Sequence, residues 1–388
     1  MFYLYKNEPA ININSSKYPG IEDKINELAK IHPEWKFEVL YTTLDFNTAV
    51  EAEYNYSSKR GNLVYTPTYK GDWIAPNPYV SGVWASASYN GIAYFMDPRN
   101  FLNEKDIFQF IDLSDYASSG VTLEAIKYQV EGTFLQNYAE DVRNACKNAN
   151  INPYYVIARL FQEQGAKGSS TINMDGKDGK RYYNPFNIGA EVGNDYQTAL
   201  NRAKRDGWDT MAKGIEGGIR ILKSYYIDKK QNTLYLNKFD VNPASGGGFY
   251  NHQYMQNLSA AYSEARILQS AYVDTNVLDN EIKFIIPVYE NMPKTVSIKP
   301  TGQNAIQYNN ENINCNDRVK VKTNDGSGVN VRSGAGTSYG IVRTVSENTT
   351  GTRIVTGKYN SNGYWWDEVI FDDGTRGFVA TNYLVKIN

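Results

Sequence analysis

The sequence predicts a multidomain chain with a mixed α+β N-terminal region, a mainly α central domain and a small all-β C-terminal barrel. Three observations carry this. At 388 residues the chain exceeds what one hydrophobic core usually holds. From about 121 to 275 apolar residues recur at spacings of three and four, the period of an amphipathic helix. Beyond 316 that period gives way to short alternating runs broken by Gly, Asn and Asp.

In chain order, IEDKINELAKI (residues 21–31) predicts a helix, WKFEVLYTTL a strand, and the residues from about 46 to 54 a second helix. A stretch rich in Tyr, Pro and Gly runs from Tyr65 to Asn90, and NFLNEKDIFQFID (100–112) returns to helical spacing with Asn103 as its cap. The central helices are LEAIKYQVEGTFL, YAEDVRNACKNA, VIARLFQEQ, TMAKGIEGGIRILKSYYI and NLSAAYSEARILQSAY. Two long loops, 165–195 and 229–256, interrupt them, and loops of that length in a helical domain are usually functional. Residues 286–315 lose helical period and gain Pro and Asn, which predicts a linker. DRVKVKT, GVNVRS, TRIVTG, WWDEVIF and RGFVATNYL then supply the strands of the barrel. The domains so drawn are 1–110, 111–285, the linker 286–315, and 316–388.

Composition excludes several function classes. A net charge of -2, from 40 basic and 42 acidic residues with no basic run among aromatics, argues against nucleic acid as a partner. Two histidines, His32 and His252, and two distant cysteines, Cys146 and Cys315, assemble no zinc cluster and no disulfide framework, and no cofactor is expected. Cys146 falls inside a helix, where a small buried residue is the ordinary role and a peptidase nucleophile the alternative. GWDTMAKGIEGGIRIL lacks the preceding strand and the Lys-Ser/Thr of a phosphate-binding loop, and reads as a helix capped at Asp209 or Thr210 with Ile215, Ile219 and Leu222 inward. No run reaches the roughly 18 to 20 apolar residues of a membrane span. The N-terminal residues lack a signal-peptide core, so the expectation is a phage-encoded protein, or a secreted one whose leader is absent from this numbering. The 32 tyrosines suit stacking on sugar rings, or reflect an AT-rich genome.

Glu163 is the candidate for chemistry. Asn152 and Pro153 start its helix and Gly165 stops it, so the helix runs from about 153 to 164 with Val156, Leu160 and Glu163 on one face. An apolar stripe and the negative end of the helix dipole both disfavour the charged carboxylate and raise its pKa. That is what a general acid needs to protonate a glycosidic oxygen. A surface Glu at a helix end is the alternative.

The surrounding motifs decide between the two. RLFQEQG (159–165), YNPFNIGAE (183–191), GWDTMAKGIEGGIRIL (207–222), QNTLYLNKF (231–239) and NHQYMQN (251–257) resemble, in letters, order and separation, the endo-β-N-acetylglucosaminidases of glycoside hydrolase family 73, the staphylococcal autolysin type. The resemblance covers about 120–275 and implies a lysozyme-like catalytic domain with Glu163 as its acid. Phe161, Gln162 and Gln164 depart from the family's Ser or His before the acid and Ser or Thr after it. The resemblance also implies substrate-binding roles for Asn184, Phe186, Asn187, Gly189, Tyr235, Gln253 and Tyr254. Amides there bond sugar hydroxyls or N-acetyl groups, Gly permits close approach, and tyrosines stack on rings.

A second carboxylate is open. An inverting enzyme places one roughly 6.5 to 9.5 Å from the acid and a retaining enzyme about 5 to 5.5 Å. Asp175, Asp178, Glu191 and Asp195 are available, and none stands out by spacing. The substrate's own 2-acetamido oxygen is a further candidate, and that route or a mobile loop acid is the preferred expectation.

Residues 316–388 resemble the bacterial SH3 domain through VNVRSGAGTSYGIV, WWDEV and GFVATNYL. This implies wall attachment through peptide stems or cross-bridges, with Trp365, Trp366 and Tyr383 as groove candidates. AYFMDPRNFL (93–102) is similar, less specifically, to the segment preceding the catalytic domain in clostridial wall hydrolases. Together these imply a peptidoglycan hydrolase acting at the bacterial wall, as a phage lysin, tail-associated lysin or autolysin. The alternatives are a lytic transglycosylase and an inactive wall-binding or tail structural protein.

Overall fold

The computed structural model describes residues 10–58, 61–75, 78–191, 194–302, 317–323, 326–337, 339–361 and 364–387. They divide into two compact units, one within Met1–Phe46, Phe101–Met255 and Ser259–Lys294, the other within Asn47–Asn100, Gln256–Leu258 and Thr295–Asn388.

The first unit is helical around one short parallel sheet. Its N-terminal helix, Ile21–Ile31, buries Ile21, Ile25 and Leu28, the spacing of four and three seen in the sequence. Strand Lys36–Asp45 pairs in parallel with Lys283–Glu290, with Lys36 opposite Lys283 and Tyr41 opposite Val288. This corrects the linker expectation over 286–290. Phe284 to Tyr289 are buried, because a parallel strand covered on both faces shows a continuous apolar run in place of alternation, and Pro287 inside the run imitates a break. The same pairing joins the N-terminal stretch to the helical residues, across the boundary drawn at 110.

Residues 100–112 do not form the expected helix. The Asn103 side chain accepts the backbone N–H groups of Lys105 and Asp106 at 3.1 and 3.0 Å, closing a local turn, and only the 3-10 turn Ile107–Phe110 follows. The later helices are Leu123–Val130, Ala139–Ala149, Pro153–Gln164, Asp195–Arg205, Met211–Leu222, Leu234–Phe239 and Ala260–Asp274. Cys146 is fully buried in the second of these, and burial pushes its thiol far up, which suits packing and not a nucleophile. Thr210 caps Met211–Leu222, accepting the Lys213 N–H, and that helix carries glycine where neighbours press closest. A Cβ on Gly218 would stand 1.9 Å from the Phe186 ring.

The second unit contains the three-stranded sheet of Leu63–Tyr65, Trp84–Ser86 and Val80–Ser81, and the helix Tyr89–Met96 capped by Ser88. Residues 295–302, also expected to be linker, are fastened to it. Asp97 accepts the Ser297 N–H at 2.9 Å while pairing with Arg99, and Asp72 accepts the N–H groups of Thr301 and Gly302. Residues 303–315, including Cys315, lie outside the described residues.

The described residues between Arg318 and Lys386 form a seven-stranded antiparallel sheet. Val319, Val321, Val329, Val331, Val369, Phe371 and Val379 make its core. Among the described residues its end strands, Ile341–Val345 and Leu384–Lys386, do not pair with each other, so the sheet that stands where a small SH3-like barrel was expected is open. Trp366 is 3% exposed, whereas Trp365, next along the strand, is only partly covered. This removes Trp366 from the groove candidates. Tyr383 packs against the core from its edge.

Candidate active site

The helix bearing Glu163 spans Pro153–Gln164 as its signals predict. The Asn152 side chain accepts the N–H groups of Tyr154 and Tyr155, at 2.9 and 3.3 Å, and donates to the Tyr272 hydroxyl at 2.9 Å. Gly165 ends the helix at φ 68°, its N–H returning to the Phe161 carbonyl at 2.8 Å. Glu163 as a residue is exposed, but its carboxyl lies in a partly desolvated recess. Burial raises its pKa, and the Arg159 guanidinium one turn earlier opposes that rise.

Beside it sits a cluster that the motifs only partly foretold. The Tyr254 ring centroid lies 3.7 Å from the Arg159 guanidinium carbon, and its edge meets Tyr226 at 5.5 Å. Burial pushes the Tyr254 hydroxyl well above its ordinary range and Tyr226 up to about 12; the Glu163 charge adds to the first. The Lys238 ammonium approaches Gln253 Oε1 at 3.4 Å. Arg159 itself is buried and bonded to Glu264 at 3.0 Å and Gln162 at 2.9 Å. Sequence reasoning passed over Arg159, Tyr226 and Glu264; an Arg four residues before Glu163, inside an otherwise apolar helical run, was the available signal.

Gln164, noted only as a departure, ties the following loop to the helix end. Its amide N–H groups donate to Thr171 Oγ1 and to the Asn184 carbonyl, both at 3.1 Å. Its carbonyl oxygen accepts from Ser169. This anchors the 184–189 turn to the end of the Glu163 helix.

Within that turn the roles divide. Asn184 is fully buried; its amide donates to the carbonyls of Ile188, at 2.9 Å, and Ala199, at 3.3 Å, and accepts the Ile188 N–H at 3.0 Å. It fastens the loop and has no group left for a sugar. Phe186 is likewise buried against Gly218. Asn187, at φ 53°, and Gly189, at φ 73°, hold left-handed backbone, and the Asn187 side-chain oxygen has no hydrogen-bond partner among the described residues. Tyr235 is another correction. It lies in Leu234–Phe239 at 0% exposure with its hydroxyl 2.6 Å from that of Tyr289, a core position and not a stacking face.

None of the four candidate second carboxylates contacts Glu163 among the described residues. Asp175 pairs with Arg181 at 3.1 Å. Asp178 accepts from Tyr182 at 2.8 Å, which holds its carboxyl below the usual range, with Lys204 nearby. The Glu191 N–H bonds to Thr198, and Asp195 opens the helix Asp195–Arg205. A cavity of about 670 Å³ opens elsewhere in the unit, lined by Arg202, Trp208, Lys213 and Arg220 among others, and no expected site residue lines it.

No protein-family model matches the chain. The chain is homologous to staphylococcal autolysins. It is 27% identical over 268 residues to the bifunctional autolysin of Staphylococcus epidermidis, covering 66% of this chain and 18% of that protein. It is 29% identical over 203 residues to the bifunctional autolysin of Staphylococcus aureus, covering 50% and 16%. The chain therefore spans less than a fifth of the length of these relatives. Among solved structures, S. aureus glucosaminidase B aligns at a TM-score of 0.53 and 27% identity, over 67% of this chain and 96% of that one. A crystal structure of the major bifunctional autolysin shares the fold, at a TM-score of 0.51 and 22% identity, over 66% and 98%.

Proposed function

We propose that this chain is an endo-β-N-acetylglucosaminidase that hydrolyses the β-1,4 bond between N-acetylglucosamine and N-acetylmuramic acid in peptidoglycan. The observation that carries this reading is Glu163, a partly desolvated carboxyl at a helix end beside the partly buried Tyr254. The 27% identity to S. aureus glucosaminidase B over nearly all of that chain supports it. Glu163 donates its proton to the leaving oxygen, so activity falls as pH rises through its pKa; burial extends the active range above that of a free carboxylate. Asn187, Gly189, Gln253 and Tyr254 line the glycan. The reading takes the substrate's acetamido oxygen as the nucleophile, the arrangement that also suits a single-acid lytic transglycosylase.

The catalytic function belongs to the helical unit that carries Glu163, and residues 316–388 hold the enzyme on the wall as an SH3-like module, in an autolysin or a phage lysin. Digesting purified walls tests the reaction class: turbidity falls with release of reducing sugar and without new free amino groups. Amino groups in step with clearing would mark an amidase or peptidase.

The two adjacent tryptophans separate attachment from folding. Trp366→Ala, at 3% exposure, is expected to destabilise the sheet by roughly 3–5 kcal/mol. Trp365→Ala is expected to leave the melting temperature nearly unchanged and to weaken co-sedimentation with walls. Equal retention of the Trp365 variant would remove it from the binding surface.

A further inference from the structure

The acid helix carries a second ionic device that the proposed reaction leaves unused. Arg159 lies one turn before Glu163 on the same helix, so the two side chains share a face. It is 3% exposed, with its guanidinium carbon 3.7 Å from the Tyr254 centroid and 5.0 Å from that of Tyr155. One nitrogen, Nη1, bonds both Glu264, from the helix Ala260–Asp274, and Gln162. Nε and Nη2 find no hydrogen-bond acceptor among the described residues, and Arg159 lines a water-sized cavity of about 10 Å³ with Lys238, Tyr254 and Glu264. A buried pair this incompletely bonded is weak evidence of stabilisation, since the desolvation of both ions offsets their attraction.

We infer that Arg159 and Glu264 are positioning residues of the Glu163 centre: Glu264 anchors Arg159, Arg159 holds the Tyr254 ring beside the acid, and their opposed charges set the field at Glu163. The inference rests on the reading of Glu163 as the general acid. The charged and titratable groups facing Arg159 are Tyr155 and Glu163 on its own helix, Glu264 on the last helix, Tyr254 and Lys238 on the 231–258 segment, and Tyr226. The Arg159 charge acts directly on Glu163, favouring its ionised form. Glu264 moderates that positive charge.

The two charges therefore predict opposite effects. The pH dependence of kcat/KM on soluble glycan fragments is measured for the full chain and for Arg159→Met, Arg159→Lys, Glu264→Gln and Glu163→Gln. Without the cation, Glu163 keeps its proton to higher pH. One pH unit above the wild-type alkaline midpoint, Arg159→Met is expected to retain at least about twofold more of its own plateau than wild type. Glu264→Gln leaves the cation unopposed and is expected to retain at least about twofold less. Arg159→Lys keeps the charge but loses the planar stack on Tyr254, so its limb stays in place while KM rises. Limbs that do not move, or that move the same way in Arg159→Met and Glu264→Gln, overturn the inference and leave a purely structural ion pair. If Arg159→Met does not fold, the downward shift of Glu264→Gln against the fixed limb of Arg159→Lys decides the matter. A Glu163→Gln variant as active as wild type would sink the underlying acid assignment instead.

Discussion

Glu163→Gln is expected to lose at least ~10²-fold of wall-clearing activity, the lower end of what a positioned general acid contributes. Glutamine preserves the shape of the side chain and replaces the acidic hydroxyl by an amide that cannot donate a proton to a leaving group, so the loss reports chemistry and not packing. Stability should move the other way. Because burial raises the folded pKa of Glu163, the stability it contributes is whole below the unfolded carboxylate pKa and is lost as pH rises through the folded value. Glutamine carries no such loss. The variant should therefore melt at or above the wild-type temperature at neutral pH, with the difference shrinking as the medium is acidified. Clearing at the wild-type rate would end the assignment, and a lower melting temperature at neutral pH would show that the carboxylate is stabilised where it sits.

Asn184→Ala is expected to destabilise the fold by about 2–4 kcal/mol, since it strips partners from up to three backbone groups, the buried carbonyl of Ala199 and the part-buried carbonyl and N–H of Ile188. Thermal melting of the full chain checks this. The consequence for function follows from Gln164, which grips the Asn184 carbonyl and so couples this turn to the acid helix. Losing the turn should lower kcat as well as substrate affinity. A variant that melts like wild type and changes only KM would mean that Asn184 faces the glycan after all.

Asn184 illustrates what the sequence could and could not reveal. A loop amide after a catalytic helix reads equally as a sugar ligand or as a loop fastener, and the choice depends on the carbonyls of Ile188 and Ala199 that it reaches, the latter fifteen residues away. Local signals were legible: Asn152, Pro153 and Gly165 bound the acid helix because caps act within a few residues. Long-range partners were not. Tyr235 looked like a stacking surface until its hydroxyl met Tyr289 across 54 residues, and the strand Lys283–Glu290 looked like linker because its partner lies about 245 residues earlier. The pair of Arg159 and Glu264, 105 residues apart, has the same cause. Trp365 and Trp366 were not decidable by alternation: counting back from the core residues Val369 and Phe371 puts Trp365 on the core face, yet Trp366 is the more buried of the two.

The identity of the sugar at each newly formed reducing end tests the central claim most directly. Walls digested by the full chain are reduced with borohydride, hydrolysed and analysed for amino-sugar alcohols. Glucosaminitol, growing in step with the fall in turbidity and absent with Glu163→Gln, is the predicted result. Muramicitol would place the cut on the other glycosidic bond, and 1,6-anhydro-muramic ends without new reducing sugar would make the chain a transglycosylase; either outcome contradicts the account.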